Sequence, residues 1–194
     1  MSTMTIAKSE LILGGQKSGK SRRAEWLARH WMDQSENHRA VLIATAQPWD
    51  DEMRQRIARH QADRAQRSPD MTTIEEPLAL AEAVQQHSRP DTLVVVDCLT
   101  LWLTNRLMPA EITTNMPEKR MDSAGAASLL IAIQSAPGPM VLVSNEIGLG
   151  VIPMGRDVRA FVDALGCLNQ DVAARCQRVT LMAAGLPLVL KDAV

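Results

Sequence analysis

Leu11-Ile12-Leu13-Gly14-Gly15-Gln16-Lys17-Ser18-Gly19-Lys20-Ser21 is the stretch that decides the fold. Leu11 to Leu13 form a short apolar run that ends at glycine, the pattern of a buried strand feeding a turn. Gly14 to Ser21 then satisfies G-x-x-x-x-G-K-[ST] at every fixed position. The glycines let the backbone curl until successive N–H groups point inward and form an anion nest. Lys20 reaches β- and γ-phosphates, and the Ser21 hydroxyl is placed to ligate Mg²⁺. From Ser21 to about Asp33 the pattern turns helical, with Ala24, Leu27, Ala28 and Trp31 three or four apart. The positive end of that helix dipole faces the same anion. Strand, glycine loop and helix together predict a P-loop that carries a Mg-nucleoside triphosphate.

Working outward, Leu93 to Val96 read as a buried parallel strand ended by Asp97, an acid placed to hold Mg²⁺ with Ser21. Val41 to Ala44 and Met140 to Val143 are further strands. Helices are expected at Asp50–Arg67, where acids lead the first turn, at Pro77–Gln86, Ala124–Ser135 and Val158–Ala174. Val179 to Leu190 reads as a terminal strand pair around Gly185 and Pro187, and Pro109 to Ser123 as a mobile loop. Alternating strands and helices imply a mostly parallel sheet flanked by helices. The expected architecture is α/β: one P-loop NTPase-type domain over residues 1–194, with a C-terminal strand pair and a flexible extension at 1–9.

The 194 residues suffice for one full core. A net charge of −1 and 3% aromatic residues, with no Tyr, argue against a nucleic-acid partner. No 18-residue apolar run or secretion signal stands out, so a cytoplasmic protein without a membrane span is expected. Cys98, Cys167 and Cys176 lack metal-ligand spacing and are expected to be small buried groups in a reducing cytosol.

A P-loop leaves kinases, GTPases, ATPases and nucleotidyltransferases open. In the helix expected from Asp50, Met53, Ile57 and His60 share a face with arginines around it. Arginines nearby favour a neutral imidazole, the nucleophilic form, although a lone helical histidine is more often a surface or capping group. Asn145 and Glu146 follow the 140–143 strand at the end where open α/β sheets place ligands, and the glycines at 148 and 150 suggest a tight backbone there. His30, His38 and His87 read as surface groups, and Trp26, Trp31 and Met53 as core. A monofunctional small-molecule kinase and a non-catalytic GTP-binding module remain alternatives to a nucleotidyltransferase on these residues.

Several stretches resemble the bifunctional adenosylcobinamide kinase/adenosylcobinamide-phosphate guanylyltransferase family. They are GGQKSGKS (14–21), IATAQPWDDEM (43–53), RIARH ending at His60, VDCLTLWLTN (96–105), VSNEIGLGVIP (143–153), LNQDVA (168–173) and AAGLPLVLK (183–191). The resemblance implies phosphorylation of the aminopropanol hydroxyl of adenosylcobinamide by a nucleoside triphosphate. Transfer of GMP from GTP to that phosphate follows, through a GMP–histidine intermediate at His60, giving adenosylcobinamide-GDP in cobalamin assembly. GTP, ATP and Mg²⁺ are the implied cofactors. The family's nucleotide contacts fall on Gly14, Gly15, Gln16, Lys17, Ser18, Gly19, Lys20 and Ser21. They continue at Thr45 and Ala46, at Gln61, Ala62, Asp63 and Arg64, and at Glu75 and Asp97. A homotrimer is the implied assembly. The chain departs from the family pattern in a longer segment between His60 and Thr72, in Met71 where a Trp is frequent, and in Arg59 where some relatives carry a second His.

Overall fold

Strand alternation sorts the apolar residues into two cores, one on each face of a sheet. The computed structural model describes residues 5–108, 123–151 and 153–193. The elements run β1 (Ser9–Gly14), α1 (Lys20–Met32), β2 (Arg39–Ala44), α2 (Asp51–Arg67), β3 (Thr72–Glu75), α3 (Leu80–His87) and β4 (Thr92–Asp97). They continue with α4 (Leu99–Leu107), α5 (Ser123–Ser135), β5 (Met140–Val143), a 3-10 turn (Ile147–Leu149), α6 (Arg156–Arg175), β6 (Arg178–Ala183) and β7 (Leu186–Asp192). Leu11, Leu13, Val94, Val96 and Leu142 face one way and pack under α3 to α6. Ile12, Leu42, Leu93, Val95 and Val141 face the other way and meet Ala24, Leu27 and Ala28 of α1. Successive strand side chains point to opposite faces, so apolar runs with no polar alternation must be covered on both.

Among the described residues seven strands form one sheet in the order β3-β2-β4-β5-β1-β6-β7. All neighbours are parallel except β6 and β7, which form the expected C-terminal antiparallel pair. The hairpin turn between them uses left-handed backbone at Ala184 and Gly185. β5 lies between the P-loop strand β1 and the acid-bearing β4, with Leu142 opposite both Leu11 and Val96. The carboxyl ends of β1, β4 and β5 therefore converge, and the site is built there.

Most expected elements are present, with small shifts at their ends. The helix expected from Pro77 starts at Leu80, because Glu76 Oε1 accepts the Leu78 and Ala79 N–H groups and makes a turn ahead of it. Two elements were not foreseen. β3 is an edge strand with largely exposed residues and offers little apolar signal, and α4 (LTLWLTNRL) is buried around most of its circumference. The loop expected over Pro109 to Ser123 lies outside the described residues except for Ser123, which opens α5. β1 begins at Ser9, and Ala7 is buried.

Two burial expectations are corrected. Trp26 is 41% exposed and stacks on His30 rather than filling the core, because it lies on the face of α1 turned from the sheet. Cys98 and Cys176 are buried as expected, but Cys167 is exposed on α6. Burial pushes the Cys98 thiol up to about 11 and the Cys176 thiol up to about 12.

Candidate active site

The loop after β1 takes its shape from backbone that only certain residues tolerate. Gly14 has φ 147° and Gly19 φ 101°, both in the region that favours glycine. A Cβ on Gly14 would stand 2.5 Å from the Met182 carbonyl oxygen and 2.7 Å from Ser18 Oγ. Lys17 is also left-handed, at φ 57°. The β6–β7 turn braces the loop from outside, as Gly185 N–H donates to the Ser18 carbonyl at 3.0 Å.

Inside this loop the Lys20 ammonium is buried and donates to the carbonyls of Gly14 at 3.0 Å and Gly15 at 2.7 Å. Burial lowers its pKa from the ordinary lysine value. Asp97 opposes that shift, and the nearby positive charge of Arg56 adds to it. Loop carbonyls here hold donors that phosphate oxygens would take over. Ser18 Oγ is buried without a hydrogen-bond partner among the described residues, a second group that an anion in the loop would satisfy. Gly15, Gln16 and Lys17 are exposed at the loop's rim.

Asp97 ends β4 half-buried, its charge felt at Lys20. Ser21, half-buried in the first turn of α1, supplies a hydroxyl. One hydroxyl and one carboxylate make a hard-oxygen set suited to Mg²⁺, which keeps waters and phosphate oxygens as its other ligands. Thr45 is fully buried and clamps β2 to the end of β4. Its Oγ1 donates to the Cys98 carbonyl at 2.7 Å and accepts Cys98 N–H at 2.9 Å, and its carbonyl accepts Asn105 Nδ2 at 2.7 Å. That hydroxyl is thus committed to the β4–α4 junction. Ala46 follows it, half-buried.

Helix α2 stands at the edge of this site. Asp50 caps it by accepting Met53 N–H at 2.7 Å, and α2 buries none of its residues fully. Polar contacts hold it. Gln61 Nε2 donates to Glu75 Oε1 at 3.1 Å, and Arg64 donates to Thr73 Oγ1 at 3.1 Å, both reaching β3. Arg67 bridges Glu25 of α1 at 3.0 Å and Asp63 at 2.8 Å. Ala62 is exposed.

Met53, Arg56, Ile57, Asp63 and Arg64 are half-buried, so their stripe is the face α2 turns to the protein. His60 sits in the middle of that stripe and yet is exposed. Arg56 lies one turn before His60 on this face, and its charge acts on Lys20. Sequence reasoning missed Arg56; its i, i+4 spacing from His60 was the available signal. The structure therefore brings together the loop, Lys20, Ser21, Asp97 and Arg56, with His60 on the same side of α2. Gln61, Arg64 and Glu75 lie at the α2–β3 contact.

At the end of β5, Glu146 N–H donates to the Gly14 carbonyl at 3.2 Å, and Asn145 N–H to Thr100 Oγ1 at 2.8 Å. Asn169 Nδ2 of α6 donates to the Asn145 carbonyl at 3.0 Å. Among the described residues no helix is long and apolar enough to cross a membrane.

Comparison with known proteins gives this geometry its context. A solved structure from Pyrococcus horikoshii OT3, PH0250, superposes with a TM-score of 0.53 at 10% identity, covering 98% of this chain and 89% of that one. That likeness is one of fold. The Pseudomonas aeruginosa bifunctional adenosylcobalamin biosynthesis protein CobP is 48% identical over 183 residues, 94% of this chain and 96% of that protein. The Escherichia coli bifunctional adenosylcobalamin biosynthesis protein CobU is 34% identical over 188 residues, 93% of this chain and 98% of that protein. The family model described as cobinamide kinase / cobinamide phosphate guanyltransferase matches residues 10–190. Matched over nearly its whole length, the chain belongs to the cobinamide kinase / cobinamide phosphate guanyltransferase family.

Proposed function

We propose that this chain phosphorylates adenosylcobinamide from a nucleoside triphosphate and then transfers GMP from GTP to the phosphorylated product, with His60 as the transient carrier of GMP. The observation that carries the assignment is the exposed His60 on the inward stripe of α2, one turn from an arginine whose charge acts on the P-loop lysine. In the kinase step the acceptor oxygen attacks the γ-phosphorus, the β–γ bridging P–O bond breaks, and the nucleoside diphosphate leaves. Lys20 and the loop N–H groups hold the charge that builds on the phosphoryl oxygens, so positioning and electrostatics carry the rate. Ser21 and Asp97 would hold Mg²⁺, which when bound neutralises charge on the β- and γ-phosphates.

In the second reaction a His60 ring nitrogen attacks the α-phosphorus of GTP. A P–N bond forms, the α–β bridging P–O bond breaks, and pyrophosphate leaves. A phosphate oxygen of the acceptor then displaces the imidazole, giving adenosylcobinamide-GDP and free His60. Splitting one displacement into two lets a single nucleophile be held against the donor before the acceptor arrives. The Arg56 charge, felt at Lys20, would offset charge on the departing pyrophosphate.

Assembly as a homotrimer and a cytoplasmic setting belong to the same reading. In support of association, Leu186, Leu188 and Leu190 alternate along β7 and are all more than half exposed at the edge of the sheet.

Incubation with Mg²⁺ and GTP labelled at the α-phosphate tests the carrier role. Acid-labile, base-stable label is expected on the wild type and not on His60→Ala. Absence of label from the wild type despite GTP binding would leave a monofunctional kinase or a binding module instead.

A further inference from the structure

The kinase half of this reading lacks a group to take the proton of the acceptor hydroxyl, and the end of β5 supplies one. The Gly14 carbonyl accepts two hydrogen bonds, from Lys20 Nζ at 3.0 Å and from Glu146 N–H at 3.2 Å. A single oxygen atom thus ties Glu146 to the phosphate-binding ammonium. The strand order accounts for this placement, since β5 is inserted between β1 and β4 and its last residues emerge between the P-loop and Asp97.

The Glu146 carboxylate is uncommitted. Glu146 is half-buried, and among the described residues no hydrogen bond or ion pair reaches its side chain. It lines the head of a cleft of about 330 Å³ between α6 and strands β1, β6 and β7, whose walls include Leu13, Val179 and Leu190. Asn169, only 4% exposed, also lines this cleft, and its Oδ1 is buried with no partner among the described residues. The bond from Asn169 Nδ2 to the Asn145 carbonyl fixes which way the amide points. Lys191, at the opposite end, is already engaged with the carbonyls of Ala173 and Ala174 at the end of α6. The cleft therefore offers apolar walls and two unpaired acceptors beside the phosphate site. Its complement is a short aliphatic arm that carries hydrogen-bond donors.

We infer that the cleft headed by Glu146 receives the hydroxyl-bearing arm of the phosphoryl acceptor, and that Glu146 is the base that takes the hydroxyl proton. The inference rests on the kinase reading above. As the acceptor oxygen forms its bond to the γ-phosphorus, its proton passes to a Glu146 carboxylate oxygen while the nucleoside diphosphate departs. The Glu146 proton is then returned to solvent. Asn169 Oδ1 accepts from a second donor on the arm and positions it. Neither group is used in the transfer of GMP to His60, because that step involves no acceptor hydroxyl.

The test follows two products from the same protein: phosphorylated acceptor, and GMP on His60. Positioned general bases contribute typically ~10²–10⁴-fold, so Glu146→Gln is expected to lower the phosphorylation kcat by about 100-fold or more. It should leave nucleotide affinity and GMP labelling of His60 within about twofold of the wild type, and Glu146→Asp should recover part of the rate. Asn169→Ala is expected to raise KM for the acceptor with a smaller effect on kcat. Phosphorylation that survives in Glu146→Gln at near wild-type rate would overturn the assignment. So would an equal loss of phosphorylation, labelling and nucleotide binding, which would mark Glu146 as a structural brace. A wild type that labels His60 but forms no phosphorylated acceptor would overturn the kinase reading itself and this inference with it.

Discussion

At the scale of single residues, the P-loop separates glycines that the fold requires from one it merely accommodates. Gly14 combines a φ of 147° with a would-be Cβ 2.5 Å from the Met182 carbonyl oxygen, whereas a Cβ on Gly15 meets nothing within 4 Å. Backbone cannot yield as a flexible side chain can, so Gly14→Ala must move β1 against β6 or distort the loop. The expected cost is about 1–3 kcal/mol of stability. An accompanying loss of nucleotide affinity of about tenfold or more is expected, each tenfold being ~1.4 kcal/mol. Gly15→Ala is expected to stay within about 0.5 kcal/mol of wild-type stability. Chemical denaturation and nucleotide titration of the two variants make the comparison, and equal effects would show that the Met182 contact has no bearing. The need for glycine at position 14 was legible in the motif, which leaves position 15 open. The particular reason at Gly14 was not, because Met182 lies 168 positions away in the chain.

Elements differ in how they are held, and α2 is the exception in this fold. With no fully buried residue, it depends on its cap and on its polar ties to β3 and α1. Arg67 is the tie to the body of the protein, and its partner Glu25 has a side chain only 6% exposed. Burial raises the Glu25 pKa above the ordinary carboxylate value and Arg67 pulls it back. Arg67→Met leaves that carboxylate buried and unpaired. Its folded-state pKa then rises further while its unfolded value stays near 4.5. The penalty is therefore full at neutral pH, declines as pH falls through the raised pKa, and is gone below the unfolded value. Arg67→Met is expected to unfold more easily at pH 7 than the wild type, with the gap closing toward pH 4.5, and to lose GMP labelling of His60 as α2 loosens. Glu25→Gln combined with Arg67→Met should restore most of the stability by removing the stranded charge. Urea denaturation at several pH values, with hydrogen exchange of α2, would decide it, and a gap independent of pH would exclude this cause. α2 could be placed from its charge pattern and its leading acids, and so could His60. Met53 and Ile57 hinted at the inward face, but that Arg56, Asp63 and Arg64 share it could not be read, because charged residues carry no such signal. Exposed β3 and α4, which buries Thr100 and Asn105 beside its apolar residues, were hidden for related reasons, since neither shows a clear helical or strand period.

Across the whole molecule, the P-loop strand is anchored at its start by a buried ionic network as well as by its apolar faces. Glu10 in β1 has a side chain 2% exposed and accepts Arg23 Nε at 3.1 Å and Nη2 at 2.9 Å from α1. It also accepts Thr180 Oγ1 at 2.8 Å from β6, and lies 3.7 Å from Arg178, which pairs in turn with Asp192 of β7. One carboxylate therefore joins β1, α1 and β6 directly and the C-terminal strand at second hand. The order of strands was open to inference from alternating patterns only as far as "mostly parallel", because charges spread over more than 180 positions had to be brought together first. Removal of this carboxylate strands Arg23, 9% exposed, and leaves Arg178 only its bonds to Asp192 and the Thr5 carbonyl. Glu10→Ala is expected to cost about 3 kcal/mol or more, in the range for one partner taken from a buried pair. For a chain of this size that corresponds to a fall in Tm of roughly 10 °C, at ~2–4 °C per kcal/mol. Because the pair is shielded from solvent, the loss should persist at 0.5 M salt, where exposed pairs are largely screened. Glu10→Gln, which can still accept from Thr180 and Arg23, is expected to fall between the two. Calorimetry of the three proteins at low and high salt measures this directly. A Glu10→Ala protein within about 2 °C of the wild type would mean that the apolar faces alone hold β1, and that the network sets its register without adding stability.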